Sequence, residues 1–320
     1  MNKIILNKNE VETFLENYTV GSLISFELME KGQANTTYLF TTSKGKYVCK
    51  LYHNETSQDI LNGSLKLKEL RDNNFPCIHI IPTKENSLIS ELKRKTSTIY
   101  EYIQGEHITN PAPKHLQEVA KTLARLHLLT KSKEGAHKRE LISKEDCLAQ
   151  AKKRLDKIKN KKLQSQRLEF FTETLQQITD SQNLPRGIIH GDYSQENILF
   201  LDNNISAVID FDASNQGPFI LDLASIIYFW AWFLEPKRQL NLTKARDVLR
   251  EYQKVRKLTK SEKLYLYDAL VLRTITYLSW NIDETDYEKE IKTNYYEYFK
   301  ALVEQVTSIG REDFYNKLFK

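Results

Sequence analysis

The chain has 320 residues, 40% of them hydrophobic and 11% aromatic, enough for a large core and about two domains. Its 47 Lys and Arg against 42 Asp and Glu leave a net charge of +5 that no block concentrates, which argues against a nucleic-acid binder. Cys49, Cys77 and Cys147 are too scattered for a disulfide framework or a metal site. No stretch reads as a signal peptide or a membrane span, so the expectation is a cytoplasmic protein with no membrane partner.

A short helix is expected over residues 8–18, followed by strands through about residue 110. "SLISFELME", "TTYLFTTSKGKYVCKLY", "SLISEL" and "STIYEYI" carry β-branched and aromatic residues between turn-like breaks. Gly45 reads as the tip of a hairpin in "TSKGKY". Between them "TSQDILNGSLKLKELRDNN" has the apolar spacing of a helix ended by Asn73 and Asn74. From "PKHLQEVAKTLARLHLL" onward helical periodicity dominates. The Gly and Pro of "QGEHITNPAP" place a domain boundary there, giving 1–103 and 104–320.

One insert interrupts the helical region. "RGIIH" and "NILFLDNNISAVIDF" read as strand pieces, the second a hairpin turning at Asp202, Asn203 and Asn204. Asp192 and Asn197 then sit on a loop feeding a strand, and Asp210 ends the returning one. Hard oxygen donors of this kind suit Mg²⁺ bound together with substrate phosphates. Phosphoryl transfer calls for a carboxylate to receive a hydroxyl proton, an Asn and a second Asp for metal, and an upstream strand lysine for phosphates. Asp192, Asn197, Asp210 and Lys50 supply those types in that order. Singly each has a plainer reading, such as a capped turn or a surface lysine; jointly they favour a phosphotransfer site.

The run H-G-D-Y-S-Q-E-N followed by I-D-F-D resembles the aminoglycoside phosphotransferase and choline kinase group of small-molecule kinases, over nearly the whole chain. Within it, "VGSLISFELMEKGQANTTYLFTTSKGKYVCKLY" and "VIDFDASNQGPFILDLASIIYFWAW" look most like the type II homoserine kinases. The resemblance implies an α+β, bilobal, protein-kinase-like fold: a small antiparallel sheet with one helix, then a larger helical lobe. It implies ATP and Mg²⁺ as cofactors, Asp192 as the base, Asn197 and Asp210 on the metal, and Lys50 on the phosphates. Gly32, Asn35 and Thr36 are expected to fold over the phosphates, and the backbone of Glu101, Tyr102 and Ile103 to pair with adenine. His190 and Asp222 are expected to brace the catalytic loop.

One departure concerns the helix Glu that in this family pairs with the strand lysine. The central helix positions here are Asn62, Gly63 and Ser64, leaving Glu69 and Glu55 as candidates. The acceptor is expected to be a small hydroxyl-bearing molecule, homoserine first, with aminoglycosides and choline-type amines open. Asp212, Trp280 and Asp283 are candidates for holding its ammonium group, since carboxylates and aromatic faces attract cations. A weakly active kinase-fold binding protein is the rival class. A monomer and a homodimer are equally compatible with the sequence.

Overall fold

In the computed structural model, which describes residues 3–29, 35–131, 143–180, 183–233, 239–282 and 295–320, the chain divides into two units. The first is Met1–Ile108 with Glu196–Asp212, and the second is Thr109–Gln195 with Ala213–Lys320. The Gly- and Pro-rich stretch that suggested a boundary at 103/104 therefore begins inside the first unit, and the insert hairpin belongs to that unit as well. The reason is local pairing: the Val208 N–H donates to the Pro76 carbonyl at 2.7 Å, and Glu106 exchanges two 2.9 Å hydrogen bonds with Phe200.

The first unit starts with helix α1 (Lys8–Leu15), whose Asn7 cap and Glu10 form a reciprocal capping box. It is shorter than the expected 8–18 because the chain turns after Leu15, with the N–H groups of Asn17 and Tyr18 bonding back to Phe14 and Leu15. Strands β1 (Leu23–Leu28), β2 (Thr36–Thr42), β3 (Gly45–Leu51), β4 (Ile80–Ile81), β5 (Ser90–Leu92) and β6 (Lys95–Glu101) follow. They pair antiparallel in the order β1-β2-β3-β6-β4, with β5 on β6. Strand β2 alternates buried and half-buried residues, as a strand with one covered face should. Val11, Phe14, Tyr38, Phe40, Cys49, Leu51 and Ile99 form the core between α1 and the sheet. Each such large side chain contributes about 1.5–3 kcal/mol of burial.

Gly45 is not the hairpin tip. It opens β3 opposite Thr42, so the turn is Ser43 and Lys44. Helix α2 (Ser57–Asp72), capped by Thr56, buries Ile60, Ser64, Leu67 and Leu70 at helical spacing. The insert gives strands β7 (Arg186–Ile189), β8 (Ile198–Leu201) and β9 (Asn204–Val208). Leu201 pairs Asn204, and Asp202 and Asn203 both have positive φ, 50° and 63°. That is the two-residue turn whose twist suits a hairpin.

The second unit is helical: α3 (Pro113–Leu129), α4 (Lys144–Leu155), α5 (Lys161–Gln176), then after β10 (Asn215–Pro218) α6 (Ile220–Trp230), α7 (Leu242–Val255), α8 (Lys260–Trp280), α9 (Tyr295–Ile309) and α10 (Arg311–Phe319). Strand β7 pairs antiparallel with β10. Gly187 in β7 lets that strand pass close to its neighbours, since a Cβ there would lie 2.3 Å from the Thr130 carbonyl and 2.7 Å from the Phe219 ring. Helix α8 is buried on all faces from Leu266 to Ile275, so it crosses the middle of this unit. No helix among the described residues is long and apolar enough to cross a membrane.

Candidate active site

In the first unit the β8–β9 hairpin aligns Ile198 with Val208, which brings Asn197 and Asp210 to the same end of the ladder. The Ile209 N–H donates to the Asn197 carbonyl at 2.9 Å and closes that end. Asp210 has a φ of 59°. This left-handed conformation, which Asp tolerates better than most residues, turns the chain out of β9. Lys50 on β3 donates to Asp210 Oδ1 at 3.0 Å and to Asp212 Oδ2 at 2.5 Å. Burial opposes its charge, but the carboxylates of Asp212 and Asp210 outweigh it and hold the Lys50 pKa above its ordinary range. Lys50 is therefore a fixed ammonium beside two oxygen donors.

Among the described residues neither Glu69 nor Glu55 is paired with Lys50, and Glu55 accepts from the Asn54 N–H at 3.3 Å. Asp210 and Asp212 hold the Lys50 ammonium, whereas Glu69 lies exposed on α2 and the centre of that helix buries Ser64. Asp212, expected at an acceptor ammonium, accepts from the Lys50 ammonium and from Asn35 Nδ2 at 3.1 Å. Asn35 Oδ1 accepts from the His53 N–H at 3.1 Å. Thr36, assigned above to the phosphates, is fully buried, and its hydroxyl meets His53 Nε2 at 2.8 Å and the Ile4 N–H at 3.1 Å. Gly32 lies outside the described residues. At the end of β6 the Glu101 N–H donates to His79 O and the Tyr102 N–H to Lys46 O. Ile103 makes no backbone hydrogen bond of this kind among the described residues.

In the second unit the loop after β7 carries His190, Gly191 and Asp192. Asp222, in the first turn of α6, clamps it: one carboxylate oxygen accepts from the His190 N–H at 2.7 Å and the other from the Gly191 N–H at 2.9 Å. Gly191 has a φ of 80°, and a Cβ there would lie 2.4 Å from the Ala213 carbonyl, so only glycine fits. His190 Nδ1 accepts from the Asp192 N–H at 3.2 Å. Trp230 Nε1 donates to the Tyr193 carbonyl at 3.0 Å and fixes the far side of the loop.

Asp222 belongs to a buried chain of polar groups. His127 Nε2 lies 3.1 Å from Asp222 and His127 Nδ1 2.6 Å from the Tyr252 hydroxyl. Arg256 in turn donates to Tyr252 at 2.9 Å and to Glu262 at 2.8 Å. Burial holds the His127 pKa below its ordinary 6.5, against the pull of Asp222. Burial pushes the Asp222 carboxyl up, but the hydrogen bonds from His127 and the His190 N–H outweigh it and leave its pKa below 3.8. A histidine buried neutral takes up its proton on unfolding, so stability falls as pH drops through 6.5. The folded Asp222 carboxylate adds stability above 3.8 that is lost as pH falls through its lowered value. A urea series from pH 7 to 5 should show the first effect, with a slope of at most about 1.4 kcal/mol per pH unit. In His127→Gln, which keeps a donor toward Asp222, that slope should flatten; an identical slope would assign the acid limb to other groups.

Asp192 is 38% exposed at its side chain. Its Oδ1 accepts from the Tyr277 hydroxyl at 3.0 Å, and Arg273 Nη2 lies 3.4 Å from the same oxygen. Both residues come from α8, and both were absent from the sequence reading. Tyr277 stacks on Tyr228 at 4.7 Å and meets Phe229 and Trp280 edge-on. Trp280 is thus beside the Asp192 cluster, while Asp283 lies outside the described residues.

Comparison with known proteins now bears on this arrangement. The phosphotransferase enzyme family model matches residues 25–258. A homoserine kinase from Bartonella tribocorum is 31% identical over 258 residues, 80% of each chain. One from Caulobacter vibrioides is 29% identical over 260 residues, 81% of each chain. Among solved structures, a spectinomycin phosphotransferase bound to ADP and spectinomycin superposes with a TM-score of 0.68 at 15% identity, covering 97% of this chain and 100% of that one. An amicoumacin kinase bound to AMP-PNP, Ca²⁺ and its antibiotic gives 0.66 at 16% identity, covering 98% and 94%. At those identities the structures speak for the fold alone.

Proposed function

The chain belongs to the phosphotransferase enzyme family, as an ATP-dependent small-molecule kinase, and from that premise we propose that it transfers the γ-phosphate of ATP to the hydroxyl of homoserine. The acceptor assignment is supported by the homoserine kinases that are about 30% identical over four-fifths of the chain. The residue roles are supported by one observation above all, the Lys50 ammonium held against Asp210 at the end of the hairpin that also carries Asn197.

In this reading Lys50 engages the α- and β-phosphates, and the Ile103 N–H, which makes no backbone hydrogen bond among the described residues, pairs with the adenine edge. Asn197 and Asp210 offer the hard oxygen donors that Mg²⁺ prefers, and Asp210 is half exposed and thus open to an ion. The metal, when bound, neutralises charge on the phosphate oxygens. Asp192 orients the acceptor hydroxyl and takes its proton as the phosphoryl group departs from ADP. The Asp222 clamp and the His190 ring hold the Asp192 backbone, while Tyr277 fixes which way its carboxylate points. The aromatic group of Tyr228, Phe229, Tyr277 and Trp280 gives the acceptor side an apolar wall.

The deciding measurement is ADP release with Mg²⁺ and ATP across homoserine, choline and aminoglycosides. Homoserine should give a kcat/KM of about 10⁴ M⁻¹s⁻¹ or more. Turnover of an aminoglycoside or choline with none of homoserine would reassign the acceptor and leave the kinase chemistry intact.

A further inference from the structure

Asp192 has a cationic neighbour that its role as a base does not call for. Arg273 enters from α8, its side chain only 6% exposed, among the buried residues of that helix. Buried arginines are ordinarily saturated with partners, because the guanidinium stays charged and carries five N–H donors. Here the pairing is incomplete. Nη2 reaches Asp192 at 3.4 Å and the Tyr277 hydroxyl at 3.3 Å, while the buried Nε has no hydrogen-bond partner among the described residues. The guanidinium packs on the rings of Tyr277 at 4.8 Å and Phe229 at 5.6 Å. That packing fixes its plane and leaves a donor edge in place. A buried charged group with an orphan donor is costly unless something completes it.

The sign of this charge bears on the acceptor. Carboxylates were expected around an acceptor ammonium, yet Asp212 is engaged with Lys50 in the first unit. The charge next to Asp192 on α8 is positive. A purely cationic acceptor gains nothing from this guanidinium, whereas a carboxylate matches its fork in both charge and geometry.

We propose that Arg273 is the specificity residue that binds the carboxylate of the acceptor, so that the enzyme selects a hydroxy acid over an amino alcohol lacking one. The inference rests on Asp192 standing at the reacting hydroxyl, and it deepens the homoserine reading by naming the group recognised. A carboxylate seated on Arg273 gives the orphan Nε its partner and orients the far end of the molecule while the hydroxyl meets Asp192.

The test compares L-homoserine with L-homoserine amide, which keeps hydroxyl and amine and loses only the charge. Wild-type kcat/KM should favour the acid by about 10- to 100-fold, the range for a charged hydrogen bond. In Arg273→Gln that preference should collapse, chiefly through a higher KM for the acid, while the KM for ATP holds. Arg273→Lys should fall between, since it restores charge without the fork. A wild-type ratio near one overturns the proposal. So does an equal fall in kcat for both acceptors in Arg273→Gln, which is what a residue that merely holds Asp192 would give. Should Arg273→Gln fail to fold, the wild-type ratio and Arg273→Lys decide. If wild type accepts neither compound, the homoserine reading fails, and serine, 4-hydroxybutyrate and glycerate are set against choline and 3-aminopropanol. Turnover of a hydroxy acid there upholds the role of Arg273; turnover of amino alcohols alone, or of nothing carrying a carboxylate, sinks it.

Discussion

Asp192→Asn should lower kcat by about 10²- to 10⁴-fold, the contribution of a positioned general base. The substitution is nearly isosteric, and an amide oxygen still accepts from the Tyr277 hydroxyl, so the loop keeps its shape. The Asp192 N–H bond to His190 and the Asp222 clamp involve backbone groups and are untouched. In the proposed function nucleotide binding draws on Lys50, Asn197 and Asp210, which belong to the other unit. ATP with Mg²⁺ at a hundredfold its Kd should therefore still stabilise the variant by about 2.7 kcal/mol. Single-turnover kinetics would separate the lost chemical step from binding. Wild-type-like turnover would remove Asp192 from the role of base, and loss of ATP-induced stabilisation would show that the substitution disturbed more than chemistry.

Asp222→Ala should be the most damaging change to the fold. The carboxylate is fully buried and accepts from the N–H groups of His190 and Gly191 and from His127. Removing it strands two backbone donors and an imidazole in a place water does not reach. Breaking a buried, hydrogen-bonded charge typically costs about 3–5 kcal/mol. Asp222→Asn should lose less, because one oxygen remains for one of the two loop N–H groups. Urea unfolding of both variants checks this, and a loss below about 1 kcal/mol for the alanine would mean that the loop holds its shape without the clamp. Turnover should fall alongside stability, since the loop conformation that aims Asp192 depends on the same bonds.

Much of this arrangement was legible because it is local. The hairpin at Asp202 and Asn203 follows from two residues that tolerate positive φ, and α3 from apolar residues recurring at helical intervals. Lys50, Asn197 and Asp210 could be named because strand and turn signals put the lysine on a strand and the other two beside strand ends, and because their types and order resemble those of a known group of kinases. Arg273 and Tyr277 could not be found that way. They lie 81 and 85 residues beyond Asp192, on a helix whose polar residues follow no single stripe because its middle is buried on all faces. The available signal was chemical: an arginine inside "DALVLRTITYLSW" must be paired or in use, because charges are seldom buried alone. Strand β10 was missed for the opposite reason. "NQGP" reads as a turn, and only its pairing with β7 makes it a strand. His127 is buried as a link in the Asp222 network, and Tyr228, Trp230 and Trp232 are buried as core.

The chain passes from one unit to the other three times, after Ile108, after Gln195 and after Asp212. Neither half is therefore a contiguous cassette. A gene fragment ending at Ile108 would encode the sheet and Lys50 but lack Asn197 and Asp210, whose hairpin is threaded in from far downstream. Recombination at a single breakpoint therefore cannot exchange either unit whole.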